Sequence, residues 1–130
     1  MKSVAKKIGR VKVTTGPVEG FIRRSLERAR KLDRREKLLP EITMTFEDPA
    51  DLMRALSVER VRVIRAVRSK PTPLSDLAVL LKRDRTAVKR DVNVLESLGL
   101  VRTHEEPNPG HGRRKVVEPV AAKYQLVATI

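Results

Sequence analysis

The sequence predicts an α+β fold that is mostly helical, and three observations indicate it. Residues 71–98 contain two short amphipathic segments with the spacing of helices, joined by a tight connection. A turn-rich stretch at 107–112 separates two β-prone segments, as in a hairpin. Residues 8–46 read as strand, helix and strand. We therefore expect an N-terminal strand–helix–strand extension at 1–48 and a second domain at 49–130.

Composition excludes several classes of protein. The 130 residues are 40% hydrophobic, which suffices for a core, and include no cysteine. Disulfide frameworks, thiolate nucleophiles and Cys-based zinc sites are therefore excluded. Aromatic residues make up only 2%, which argues against single-strand binders that stack bases on aromatic rings. The longest apolar run is Leu77–Leu81, far short of the ~20 residues that span a bilayer, so we expect a cytoplasmic protein without a membrane segment.

The positive charge is unevenly distributed. The net charge is +13, and residues 1–38 hold 13 Lys/Arg against 4 Asp/Glu, or +9. Residues 71–130 hold 10 against 7, or only +3. Such an excess suggests a polyanionic partner, but charge alone gives affinity without sequence specificity.

The N-terminal extension is predicted from hydrophobic periodicity. A strand up to Thr14 is followed by Gly16-Pro17, which opens an amphipathic helix to about Lys37. A half-buried strand is predicted from the alternating apolar residues Ile42, Met44 and Phe46. The basic face of the helix has four open interpretations: a solvated surface, a partner-binding surface, an auxiliary DNA contact or a membrane-surface contact.

Two capped helices should follow the extension. Asp48-Pro49 supplies an N-cap and a first-turn proline for a short helix through Leu56, and Ser57 can cap the next helix. We expect the inward residues of that second helix to be Val61, Ile64 and Val67.

Residues 72–98 have the pattern of a helix-turn-helix. The first helix has an apolar side with the small residue Ala78 near its middle, and Lys82–Asp84 forms the turn. Asp84 can cap a second helix from Arg85 to Leu98, and Gly99 suits a left-handed C-terminal cap. The apolar side of the first helix is Leu74, Leu77, Ala78 and Leu81; that of the second is Ala87, Val88, Val92, Val94, Leu95 and Leu98.

The second helix is in the position that reads DNA. Its outward residues lie mostly in the first two turns, where donors reach base edges and phosphates in the major groove. These candidate DNA-binding residues are Arg85, Thr86, Lys89, Arg90 and Asn93. Asp91 would repel DNA if it pointed outward, so we expect it to bond within the domain, to a neighbouring arginine.

A β-hairpin, or wing, is predicted at 101–118. Turn residues at 107–112 form its tip, and three cations open the return strand: Arg113, Arg114 and Lys115. Cations beside a glycine-rich tip suit phosphate or minor-groove contact. The two histidines, His104 and His111, have no spaced metal-ligand motif around them, and no nucleophile or phosphate-loop motif occurs. We expect no metal, no cofactor and no enzymatic activity.

These motifs resemble a known family. Leu77-Ala78, Asp84-Arg85, residues 88–92 and residues 95–101 resemble the winged helix-turn-helix of MarR-like bacterial and archaeal regulators. Residues 40–49, with the helix from Ser57, resemble a group of small predicted transcriptional regulators. Members of that group are often proposed to be antitoxins that repress their own toxin operon. The turn departs from the family pattern, because Lys82 stands where glycine is common.

The expected function is therefore sequence-specific binding of double-stranded DNA by a transcriptional regulator, with repression as the mode. The N-terminal helix and residues 124–127 offer apolar surface for a homodimer that reads a two-fold operator. The alternative is an antitoxin-type interaction module whose basic N-terminal third binds a toxin-like protein, with DNA binding as autoregulation. Non-specific coating of nucleic acid is a third hypothesis.

Overall fold

The computed structural model describes residues 8–16 and 41–128, which fall into two compact units. One unit comprises residues 55–122, and the other comprises 8–16, 41–54 and 123–128. The predicted helix from Pro17 to Lys37 lies outside the described residues. So does most of the basic first third, to which the toxin-binding hypothesis refers.

Helices and strands take similar shares of the described residues. The helices are α1 (Pro49–Ala55), α2 (Val58–Val67), α3 (Leu74–Leu81) and α4 (Arg85–Ser97). The strands are β1 (Ile8–Thr15), β2 (Glu41–Phe46), β3 (Thr72–Pro73), β4 (Val101–Pro107), β5 (Arg113–Pro119) and β6 (Ala121–Val127). None of the helices in this part of the chain is long and apolar enough to cross a bilayer.

The unit at 55–122 is a winged helix-turn-helix, as predicted. Helices α2, α3 and α4 pack on one another. An antiparallel sheet of order β3-β5-β4 closes the unit, with β4 and β5 forming the hairpin. The core is aliphatic, and its fully buried side chains include Val63, Val67, Leu77, Val88, Val92, Leu95 and Val117. The fold therefore rests on helical faces that each bury three or four aliphatic residues.

Local chemistry ends the two helices of the helix-turn-helix. Helix α4 finishes in a Schellman motif: the Leu100 amide donates to the Leu95 carbonyl at 2.9 Å, and the Gly99 amide donates to the Glu96 carbonyl at 2.9 Å. Gly99 takes a positive φ of 77°. Helix α3 ends on Lys82, whose φ of 54° and ψ of 46° are left-handed, as the missing turn glycine predicts. Both caps therefore require the backbone conformation that glycine adopts most easily.

The second unit contains a three-stranded sheet of order β2-β1-β6. Strands β1 and β2 are parallel, in register from Arg10 opposite Glu41 to Thr15 opposite Phe46. An ion pair between Arg10 and Glu41 joins the two strands, with the Arg10 Nε 2.7 Å from Glu41 Oε2. A parallel pair needs a crossover connection, and here the connecting chain runs through residues 17–40.

Two expectations need correction. Ile42 was expected in a half-buried strand but is 53% exposed, because β2 is the end strand of its sheet and has a neighbouring strand on one side only. In α2 the buried residues are Val63, Ile64 and Val67, and Val61 is only half-buried, because the helix packs against both α3 and α4 and buries a wider face. Residues 124–127 belong to strand β6, which lies next to β1, and Leu126 is 40% exposed.

Replacement of Lys82 by glycine should stabilise the protein. A left-handed conformation is strained for a residue with a Cβ, and glycine removes that strain. We predict that Lys82→Gly raises the free energy of unfolding by about 0.5–1 kcal/mol in urea denaturation. Lys70→Gly is the matched control, because Lys70 has no positive φ; it should leave stability unchanged or lower it. Destabilisation by Lys82→Gly would contradict the strain argument.

Candidate nucleic-acid interface

Helix α4 begins at a side-chain cap that sets the direction of its first turn. Asp84 Oδ2 accepts hydrogen bonds from the amides of Thr86, at 3.0 Å, and Ala87, at 3.4 Å. A carboxylate at this position satisfies free amides and interacts favourably with the positive end of the helix dipole. The helix therefore starts at Arg85, and the side chains of Arg85 and Thr86 are exposed.

A buried carboxylate ties α4 to the rest of the unit. Asp91 is 7% exposed, and its two oxygens have different partners. Arg60 Nε of α2 donates to Oδ1 at 3.2 Å, and Arg83 Nη1 of the turn donates to Oδ2 at 2.5 Å. This hydrogen bond raises the pKa of the Arg83 guanidinium, because it stabilises the charged form. Asp91 thus bonds within the domain, as expected, and joins α2, the turn and α4.

The first turns of α4 and the hairpin line one groove. Its volume is about 450 Å³, and it brings together residues that are separated by up to 41 positions in the chain. Helix α4 contributes Arg85, Thr86 and Lys89, and the hairpin contributes Arg113 and Lys115. Two further residues line it, Glu105 of β4 and Leu74 of α3. Five of the eight candidate DNA-binding residues therefore share one surface, with four cations and one carboxylate.

The other three candidates lie elsewhere. Arg90 and Asn93 are exposed on α4 but do not line the groove. Arg114 lines a different cleft, and its guanidinium is paired with Glu106: Nε lies 2.8 Å from Oε1 and Nη2 lies 2.6 Å from the same oxygen. The three consecutive cations of the return strand are thus divided between two surfaces.

Strand alternation explains this division. Successive side chains of a strand point to opposite faces, and β4 pairs with β5 so that Glu105 is opposite Lys115 and Glu106 is opposite Arg114. The odd-numbered residues line the groove beside α4. The even-numbered residues line the cleft on the other side, which has a volume of about 430 Å³. That cleft is lined by Pro71, Pro73, His104, Glu106, Arg114, Val116 and Glu118.

Sequence reasoning missed Glu105 as a residue of the groove. The period of two places Arg113 and Lys115 on one face, but only the observed register, with a five-residue tip at 108–112 in place of the predicted 107–112, adds Glu105 to that face. Applied to the cations alone, the same rule would have separated Arg114 from its neighbours.

The arrangement supports anion binding. Guanidinium and ammonium groups of Arg85, Lys89, Arg113 and Lys115 supply charge-assisted donors, and Arg85 and Lys89 are one helical turn apart. The spaced phosphates of a nucleic acid backbone match such an open, extended set of donors. Among residues 8–16 and 41–128, no group of three His, Asp or Glu side chains could hold a metal ion.

Loss of the Asp91 carboxylate should destabilise the unit. The variant Asp91→Ala leaves Arg60 and Arg83 without their shared acceptor while both are largely buried. We predict a loss of about 2–3 kcal/mol in the free energy of unfolding. Asp76→Ala removes an exposed carboxylate of α3 and should change stability by less than about 0.5 kcal/mol. Equal effects of the two variants would refute the role of Asp91.

Glu106 should titrate abnormally because of Arg114. The hydrogen bond from Arg114 lowers the pKa of the Glu106 carboxyl, since it stabilises the carboxylate. The pair therefore contributes stability above the ordinary Glu pKa of about 4.3 and loses it as the pH falls through the lowered value. We predict that Arg114→Met raises the Glu106 pKa in a carboxyl NMR titration. An unshifted pKa in that variant would contradict the pairing.

Several solved structures resemble part of the chain. One is the homodimeric winged helix-turn-helix DNA-binding domain of a possible ArsR-family transcriptional regulator from Mycobacterium bovis, with 19% identity over 55% of this chain and 63% of that chain and a TM-score of 0.46. A possible transcriptional regulator from Methanosarcina mazei has 18% identity over 57% and 66%, with a TM-score of 0.47. A transcriptional regulator homologue from Pyrococcus horikoshii has 21% identity over 54% and 75%, with a TM-score of 0.41. The chain thus spans less than two thirds of the first two structures.

Comparison of the sequence with family profiles identifies a family for the chain. No curated protein matches the chain. The profile of the HVO_A0114 family matches residues 55–121, which includes helices α2 to α4 and the whole hairpin. This match covers more than half of the chain, and the protein therefore belongs to the HVO_A0114 family.

Proposed function

We propose that the protein binds double-stranded DNA in a sequence-specific manner and regulates transcription. The observation that carries the proposal is the shared groove, in which the first turns of α4 and the hairpin present four cations to one side. In a helix-turn-helix this end of the second helix enters the major groove. A basic groove at that position, on a winged helix-turn-helix, supports duplex DNA as the ligand.

In this proposal, the side chains of helix α4 recognise the bases. Arg85 pairs with guanine O6 and N7, Thr86 and Asn93 contact neighbouring base edges, and Lys89 and Arg90 contact phosphates or guanine. The hairpin cations contact phosphates or the minor groove beside the helix. Because Asp91 holds the helix to α2 and to the turn, the reading residues are held in a fixed orientation before DNA binds.

Repression by a homodimer is the form of regulation that we propose. A single winged helix covers a short site, whereas a two-fold dimer reads two half-sites about one helical turn, or a multiple of it, apart. Bound over a promoter, such a dimer would block transcription. The exposed apolar side chains of the second unit, Ile42 and Leu126, are available for contact between copies of the chain.

The test is selection of bound duplexes from a random DNA pool, followed by affinity measurements on the selected site. We predict that Arg85→Ala weakens binding to that site by about 5- to 150-fold and relaxes the base preference at one position. Arg90→Ala should weaken binding to all duplexes alike if Arg90 contacts phosphate. Arg65→Ala is the control, because Arg65 is exposed on α2 and does not line the groove.

Two results would overturn the proposal. Selection that enriches no sequence would leave only non-specific coating of nucleic acid. A selected site that binds Arg85→Ala and Arg90→Ala as tightly as the unaltered chain would remove helix α4 from the interface. A palindromic consensus is expected from a dimer.

A further inference from the structure

The two faces of the hairpin carry two arginine–glutamate pairs of different character. On the face beside α4, Arg113 Nε lies 3.3 Å from Glu105 Oε2, and Arg113 Nη2 donates to the Glu105 carbonyl oxygen at 3.3 Å. On the opposite face, Arg114 makes two shorter contacts, 2.8 and 2.6 Å, to one oxygen of Glu106. The strands thus hold two pairs of the same chemistry at adjacent positions on opposite surfaces.

The pair beside α4 is open to exchange. The side chains of Arg113 and Glu105 are 59% and 64% exposed, so water screens their attraction and each can be replaced by another partner. Lys115 is directly opposite Glu105 in the strand register. When Arg113 leaves, the Glu105 carboxylate therefore keeps a cation beside it.

The pair on the opposite face is held in place. The Glu106 side chain is only 20% exposed, and His104 Nε2 lies 3.5 Å from its second oxygen. Separation of Arg114 from Glu106 would leave a largely buried carboxylate without its hydrogen-bond donor, which is unfavourable. Arg114, which is itself 41% exposed, therefore stabilises the hairpin and can bind an external anion only if it gives up this contact.

We propose that DNA contacts only the face of the wing that holds Arg113 and Lys115, and that Glu105 competes with DNA phosphate for Arg113. This inference rests on the proposed function and assigns the contacts within it. In the free protein the Glu105 carboxylate is paired with the Arg113 guanidinium. In the complex a phosphate oxygen displaces Glu105 from Arg113 only part of the time, and the carboxylate stays in the groove, where it opposes closer approach of the backbone.

The competition lowers affinity for every duplex. A carboxylate in the groove repels phosphates, and Arg113 must give up its intramolecular partner before it contributes to binding. Removal of the carboxylate should free one more cation for phosphate. Each phosphate contact steepens the dependence of log affinity on log salt concentration by about 0.9. A steeper salt dependence is therefore a second, independent measure of the added phosphate contact.

The experiment measures the affinity of the full chain for a fluorescent random-sequence duplex across a series of salt concentrations. Glu105→Gln should bind about 2- to 5-fold more tightly than the unaltered chain at low salt. Its salt slope should steepen by up to about 0.9. Glu106→Gln is the matched control: it removes the same charge one residue away, on the opposite face, and should change neither quantity.

A second pair of variants tests the same assignment from the cation side. Arg113→Ala should flatten the salt slope by up to one phosphate contact and should abolish the effect of Glu105→Gln in the double variant. Arg114→Ala should leave the slope unchanged. Circular dichroism melting curves of all variants report whether the hairpin remains folded.

The outcomes separate this inference from the proposed function. Equal effects of Glu105→Gln and Glu106→Gln, or persistence of the Glu105→Gln effect without Arg113, overturn the inference while DNA binding stands. A larger effect of Glu106→Gln or of Arg114→Ala places DNA on the opposite face and also overturns it. Absence of duplex binding by the unaltered chain overturns both.

Discussion

The arrangement of the candidate interface depends on one buried carboxylate. Asp91 lies on the inner side of α4, where its neighbours Val88, Val92 and Leu95 are fully buried. A charge at such a position is unfavourable unless it is paired, and the two arginines that pair with it come from α2 and from the turn before α4. Both pairings can form only in a fold that brings α2, the turn and α4 together. The outward orientation of Arg85 and Lys89 follows from it.

Structural features that depend on residues close together in the sequence could be predicted from it. The Asp84 cap, the Gly99 cap, the left-handed Lys82 and the buried side of α3 all depend on residues within about five positions, so side-chain chemistry and helical spacing suffice. The internal bonding of Asp91 was predictable too, because an outward carboxylate would face DNA. Its partner Arg60 was not, since it lies 31 residues away and only the packing of α2 on α4 brings it close.

Pairing between strands was the least predictable part of the fold. The sequence contains the hairpin tip, and hence β4 and β5, but nothing in it specifies that β3 joins β5 or that β6 lies beside β1. Strand β2 is the end strand of its sheet, and Ile42 is exposed there despite its apolar character. In the site, counting cations along the return strand grouped Arg113, Arg114 and Lys115. The pleat of the strand separates them, because direction alternates at each residue.

Because of the same pleat, the net charge of the chain does not indicate how many cations the groove contains. Most of the +13 lies in the first third of the chain, whereas the groove combines four cations with one carboxylate. Affinity for a polyanion grows with the number of cations that reach phosphates, and the folded hairpin reduces that number twice, by turning Arg114 to the opposite face and by placing Glu105 beside Arg113. A protein selected only for tight binding would gain from neither feature. Under the proposed function both features are useful, because weak non-specific contact would leave base recognition by α4 as the larger share of the binding free energy.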